Sequence, residues 1–327
     1  MGLRLKAGCG LVRGLGYLNP GRSPAGTYHR GMDPWFGGRG VHTGEDVDAT
    51  TGQEPILEVV GLHKAFGAQK VLRGIDLRIE TGRITVIIGG SGSGKSVLIK
   101  HLVALLRPDA GEVRLHGRNL FTMGPDDLLD ARRRFGMLFQ AGALFDSMSV
   151  YDNVAFPLRE HKRLNRKDER ELVLARLEEL NLFNVEFKFP NELSGGMRKR
   201  VALARATVLD PEIILYDEPT TGLDPVMIAQ VDDMIAETQE RCKVTSIVIS
   251  HDMASTFRIA HQIAMLHEGR IVEAGSPDEF RNSANENVRA FIFQSGTGPL
   301  KGAASGRSAT ETLRSDDRAG TAGQGSR

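Results

Sequence analysis

The chain is poor in cysteine, has no excess of either charge, and lacks long apolar runs. Cys9 and Cys242 are its only cysteines, and they sit in no CxxC or zinc-ligand spacing. That argues against a disulfide framework and makes a reducing cytosol the natural compartment. Lysine and arginine total 42 against 41 aspartate and glutamate, so no global field draws nucleic acid or anionic lipid. A membrane span needs about 20 consecutive apolar residues. ITVIIGG (84–90) is too short, and VLIKHLVALL (97–106) is broken by Lys100 and His101. If the protein works at a membrane, another chain supplies the spans. Internal repeats are missing as well.

What is present divides into three stretches of the 327 residues. Residues 1–54 are glycine-rich, with Arg4, Lys6, Arg13, Arg22 and Arg30 preceding the first acid, Asp33. Arg13, Gly14 and Gly16 interrupt any secretory apolar core, and Lys6 stands where a myristoylation signal needs Ser or Thr. A transit peptide fits the shortage of acids but not the scarcity of serine. The expectation is a disordered arm, or residues upstream of a start at Met32. Residues 295–327, rich in Gly, Ser, Ala and Thr, read as a disordered tail.

Residues 55–294 are patterned. ILEVVGL (56–62), GIDLRIE (74–80), RITVIIG (83–89) and EVRLHG (112–117) predict strands, as do EIILYDEP (212–219), TSIVISHD (245–252) and QIAMLHEG (262–269). Helix-like segments separate them. Residues 150–182 read as helical, with Val173, Leu177 and Leu180 on one face. Such alternation predicts an α/β fold with a mostly parallel sheet covered on both faces.

GGSGSGKS (89–96) follows strand RITVII and opens helix SVLIKHLVALL (96–106), matching GxxxxGKS in its required context. Without side chains, Gly89, Gly90, Gly92 and Gly94, with Ser91 and Ser93 between them, let the loop curl its N–H groups into an anion nest. The helix N-terminus behind adds unpaired donors and a partial positive charge. Lys95 would reach the β- and γ-phosphates, and Ser96 would offer its hydroxyl to Mg²⁺. In EIILYDEP, an apolar strand delivers Asp217 to the carboxyl edge of the sheet, where it would hold the Mg²⁺ shell. Glu218 follows, placed to polarise an attacking water; the plainer reading is a surface acid at a strand end.

LSGGMRKRVALARA (193–206) lies shortly before that strand. With the glycine loop and the Asp-Glu strand in this order, the chain resembles the nucleotide-binding subunit of an ABC transporter. The resemblance implies a P-loop NTPase fold: a RecA-like core, an antiparallel β subdomain, and a helical subdomain at about 141–195 inside an ATPase domain spanning 55–294. In that family LSGG opens a helix facing the γ-phosphate held by a second subunit, which assigns Ser194, Gly195 and Gly196 here. Met197 stands where glutamine is usual. Gln140 corresponds to the glutamine that touches Mg²⁺ or water, Asp224 of TGLDP to the aspartate crossing the dimer, and His251 of ISHD to the switch histidine. Phe66 resembles the aromatic that stacks on adenine; tyrosine is commoner there, and a phenylalanine serves equally as core. One loop and one LSGG per chain imply a homodimer closing on two ATP with Mg²⁺.

The basic clusters ARRR (131–134), HKRLNRK (161–167) and MRKR (197–200) are the only nucleic-acid hints, and each reads as a solvated helix face. Chromosome and DNA-repair ABC ATPases insert coiled coils or zinc hooks, whereas here neither heptads nor CxxC separate the two motifs. Translation-type ABC factors carry two cassettes, and this chain has one. FQAGALFDSMSV (139–150) and DNVAFPLREH (152–161) are similar to the ATPases of Mce-type (Mla, toluene-tolerance) lipid-trafficking systems. That resemblance implies a peripheral ATPase at the cytoplasmic face of the bacterial inner membrane. Its partners would be an integral permease, an Mce-domain lipid-binding protein and, in some members, a small STAS-domain protein. The rival is the same ATPase serving an importer for amino acids or ions.

Overall fold

The computed structural model describes residues 54–139 and 142–295. In chain order, β1 (Pro55–Phe66), β2 (Gln69–Glu80) and β3 (Ile84–Ile88) precede α1 (Lys95–Leu102). Next come β4 (Ala110–Leu115), β5 (Arg118–Asn119), α2 (Pro125–Arg133) and β6 (Phe135–Leu138). Three helices follow, α3 (Val150–His161), α4 (Arg166–Glu179) and α5 (Gly195–Thr207). The remainder is β7 (Ile213–Asp217), α6 (Pro225–Cys242), β8 (Thr245–Ser250), α7 (Met253–Ile259), β9 (Gln262–His267), β10 (Arg270–Gly275), α8 (Pro277–Arg281) and α9 (Glu286–Gln294).

Among the described residues two sheets form. An antiparallel sheet runs β2-β1-β4-β5, and a six-stranded sheet runs β10-β9-β3-β8-β7-β6. From β9 to β6 the pairings are parallel, and β10 closes the edge antiparallel. β3 and β8 are buried along their whole length. Strands covered on both faces have no solvent side to mark with polar residues, which is why ITVII reads as an unbroken apolar run.

Three buried clusters hold these layers. One packs the antiparallel sheet and α1 against one face of the large sheet, through Leu57, Leu72, Leu98 and Leu215. A second covers the other face with α5 to α9, through Ile84, Leu203, Ile235 and Phe280. A third joins α3, α4 and α5 through Val154, Val173, Leu177 and Val201. α5 serves two of them, giving Ala202 and Leu203 to the sheet and Val201 and Ala204 to α3 and α4. Burying each such leucine contributes about 1.5–3 kcal/mol of transfer free energy. Arg205 of α5 donates to Gly142 O and Ala143 O at 2.9 and 2.8 Å, tying the segment after β6 to the same helix.

Several sequence expectations change in extent. Residues 150–182 form two helices. Asn165 caps α4 by accepting from Asp168 N at 2.9 Å, so the chain turns at 162–165 and restarts. The helix expected to Leu106 ends at Leu102, where Ala104 adopts φ 54° and Leu105 N and Leu106 N both return to Lys100 O. The first two strands run longer than their apolar patterns and meet as a hairpin. β5, β6 and β10 carry no strong alternation, so the apolar pattern does not predict them. No helix among the described residues is long and apolar enough to cross a membrane.

Candidate functional site

The glycine loop leaves the carboxyl end of β3 at Gly89 and enters α1 at Lys95. Two of its glycines are required by packing. A Cβ on Gly89 would stand 2.3 Å from Leu266 O of β9 and 2.8 Å from Ser93 Oγ. Gly94 caps α1 at φ 109°, and a Cβ there would meet Leu72 Cδ2 at 2.9 Å. The loop is thus pressed onto the sheet and bent into the helix, with its amides at the helix N-terminus. Lys95 is 8% exposed, and its ammonium donates to Gly89 O and Gly90 O at 2.8 and 3.0 Å. Burial lowers its pKa, while Glu218 and then Asp217 push it back up. The Ser93 hydroxyl is buried without a hydrogen-bond partner among the described residues, an orphaned donor inside the loop.

Strand β7 carries the acids to this loop. Asp217 ends it, half-buried, and its pKa is raised first by burial and then by Glu218, with Lys95 and Lys100 opposing. Glu218 has φ 47°, unusual for a residue with a Cβ, and its N–H is pinned to Ile249 O of β8 at 3.1 Å. Such backbone strain costs about 1–3 kcal/mol and concentrates at functional sites. Its carboxylate accepts from Thr221 Oγ1 at 3.0 Å and lies 3.7 Å from His251 Nδ1. His251 follows β8 directly. Adjacent parallel strands therefore deliver the acid and the imidazole to one edge of the sheet, where ligands bind in open α/β folds.

Phe66, the loop glycines, Lys95, Ser96, Glu218 and His251 line one cleft of about 820 Å³. That size falls in the range of about 300–1,000 Å³ typical of ligand sites. Phe66 is 49% exposed at the end of β1, so it is not core, and Lys64 Nζ sits 5.7 Å from its ring centroid. The fold does not bring every expected residue here. Ser93, Ser194, Gly195, Gly196, Asp217 and Asp224 do not line the cleft, although Asp217 stands beside Glu218 close enough to act on Lys95, and Gln140 lies outside the described residues. Ser194 caps α5 by accepting from Met197 N at 3.3 Å, and Asp224 caps α6 by accepting from Val226 N and Met227 N at 3.0 Å. Within the chain, neither Gly195 nor Gly196 is sterically required: a Cβ would stand 3.9 Å from Arg198 Nη2 and 3.6 Å from Met227 Cε respectively. Residues that sequence reasoning missed also line the cleft, among them Gln69, Val71, Phe291 and Gln294.

The donor set suits Mg²⁺ more than a metal caged by protein. No group of three His, Cys, Asp or Glu with metal-site geometry occurs among the described residues. Ser96 and Asp217 supply hard oxygens, and Mg²⁺ is commonly held by one or two carboxylates plus substrate phosphates.

Fold and cleft together define a nucleotide-binding ATPase of the P-loop class. A family model described as ABC transporter matches residues 72–221. The probable ribonucleotide transport ATP-binding protein mkl of Mycobacterium leprae is 40% identical over 244 residues, covering 75% of this chain and 70% of that protein. The intermembrane phospholipid transport system ATP-binding protein MlaF of Haemophilus influenzae is 37% identical over 246 residues, covering 75% and 93%. The solved dimeric ATP-binding cassette MJ0796, bound to ADP and Pi after hydrolysis, superposes with TM-score 0.60 at 28% identity over 68% of this chain and 98% of that one. The chain belongs to the ABC transporter ATP-binding family, and it is the ATP-hydrolysing component.

Proposed function

We propose that two copies of this chain close on two MgATP and drive lipid, in particular phospholipid, through an Mce-type permease at the inner membrane. The observation that carries the dimer is the pair of glycines in LSGG. Gly89 and Gly94 are required by contacts inside the chain, whereas Gly195 and Gly196 are not. Their smallness is explained when an anion held by another copy approaches the amides at the start of α5. The kinship to the solved cassette dimer supports the same arrangement.

In this reading the loop amides and Lys95 grip the β- and γ-phosphates, and Phe66 stacks on the base. Ser96, Asp217 and Gln140 would hold Mg²⁺, which would neutralise charge developing on the phosphate oxygens. Glu218 takes the proton of the water attacking the γ-phosphorus, and the bond to the ADP oxygen breaks. His251, with Nδ1 toward Glu218, presents Nε2 to a γ-phosphate oxygen. Ser194 to Gly196 of the second copy complete the site, and Asp224 crosses between copies. Closure is driven because ATP binds the closed pair better than the open one.

The lipid reading is supported by the similarity to MlaF over nearly that protein's whole length. The segment at 137–161 supports it too, since it contains Gln140 and exposes Phe139 and Phe145 on either side of it, where ATP state would pass to a permease. An Mce-domain lipid-binding protein completes the assembly proposed, joined in some members of the family by a small STAS-domain protein.

Mixing two dead variants tests the shared site. Lys95→Ala removes the loop cation. Gly195→Asp places a carboxylate at the first turn of α5, where the helix dipole tolerates it but a triphosphate is repelled. In a symmetric dimer, a mixed pair keeps one intact site, so an equal mixture regains up to about a quarter of wild-type ATPase activity. If the mixture stays as inactive as each variant alone, the site is not shared between chains.

A further inference from the structure

The terminal helix α9 lies beyond the segment matched by the family model. It is firmly seated. Val288 is fully buried and Ile292 is 7% exposed in the cluster beneath the sheet. Asn285 caps it by accepting from Asn287 N at 2.9 Å and donates Nδ2 to Val272 O of β10 at 3.2 Å. With the helix anchored on that side, Phe291, Gln294 and Ser295, spaced i, i+3 and i+4, share one flank. All three line the cleft that contains the glycine loop and Phe66.

A cleft with a phosphate nest at the loop must hold the rest of a nucleotide along its other walls. The loop and Lys95 address only the phosphates. Gln294 is solvent-exposed, and its amide has no hydrogen-bond partner among the described residues. An amide carries two donors and an acceptor. That set complements the amino group and ring nitrogen on an adenine edge, and equally the hydroxyls of ribose. Phe291, partly buried, offers an aromatic surface held by the core.

We propose that α9 forms a nucleoside-binding wall of the cleft, with Gln294 hydrogen-bonding the nucleoside and Phe291 packing against it. This rests on the cleft being the ATP site. It makes the helix a determinant of nucleotide affinity and choice, in addition to its part in closing the core.

The test is displacement of a fluorescent nucleotide from the full-length chain by ATP, dATP, GTP and inorganic tripolyphosphate. Gln294→Ala should raise the Kd for ATP about two- to tenfold, as for one lost hydrogen bond. It should leave tripolyphosphate unchanged, because that ligand has no nucleoside. A changed ATP/GTP ratio places the contact on the base, and a changed ATP/dATP ratio places it on the ribose; both support the wall. An unaltered Kd for ATP, or an equal loss for tripolyphosphate, overturns it. Phe293→Ala, on the same helix but outside the cleft, should be neutral. Lys95→Ala must weaken ATP and tripolyphosphate together. Should it weaken neither, the fault lies with the cleft reading and not with α9.

Discussion

Replacing Glu218 by glutamine separates binding from chemistry, because the structure limits what the exchange disturbs. Glutamine is isosteric and equally strained at φ 47°, so the backbone is no worse off. Its amide oxygen can still accept from Thr221 Oγ1, now 3.0 Å from the carboxylate. What disappears is a charge and a base. After burial itself, Glu218 is the neighbouring charge that raises the Asp217 pKa. Neutralising it therefore leaves Asp217 more readily ionised and more attractive to Mg²⁺. Nucleotide binding should persist or tighten. Loss of general-base assistance should slow hydrolysis about 10²–10⁴-fold, equivalent to a barrier higher by about 2.7–5.4 kcal/mol. Single-turnover hydrolysis measures the rate, and gel filtration with MgATP should show an accumulated closed dimer. Near wild-type turnover by Glu218→Gln would remove this residue from the base role and leave His251 as the nearby candidate.

Asp232 on α6 gives a pH signature. It is 1% exposed and accepts from Ser255 Oγ of α7 at 2.5 Å. Its pKa is raised by burial, with Ser255 and Arg258 opposing. A raised folded pKa means its favourable contribution is complete below the unfolded value and is lost as pH rises through the folded one. The wild-type melting temperature should therefore fall across that window, and Asp232→Asn should flatten the fall; parallel curves for the two proteins would refute it. For the cargo, purification from detergent-solubilised membranes should bring down a permease and lipid. An amino-acid permease in their place would sink the lipid reading and leave the ATPase untouched.

The parts legible in the sequence are those whose chemistry is contiguous. An anion nest needs small residues in succession before a helix, so GGSGSGKS states its own geometry. Buried central strands need unbroken apolar runs, so β3, β7 and β8 were readable. β6 and β10 were not, because strands at the two edges of the sheet satisfy fewer packing demands and show little pattern. The break between α3 and α4 carried a readable signal in Asn165 and Asp168, an N-cap with an acid in the first turn. The apolar spacing on both sides obscured it.

The sequence by itself determined the nucleotide class and the order of the motifs, while a second copy supplying LSGG is what the family resemblance implies. Local composition suffices for the glycine loop, since an anion nest is built from its own backbone. Only the tertiary structure decided that Phe66 from β1 and Phe291 from α9 share a cleft. It also set Glu218 in a left-handed backbone pinned to β8, and placed Leu266 O where only glycine fits at position 89. Those relations join residues far apart in the chain, and close packing across a sheet leaves no periodic trace in either segment.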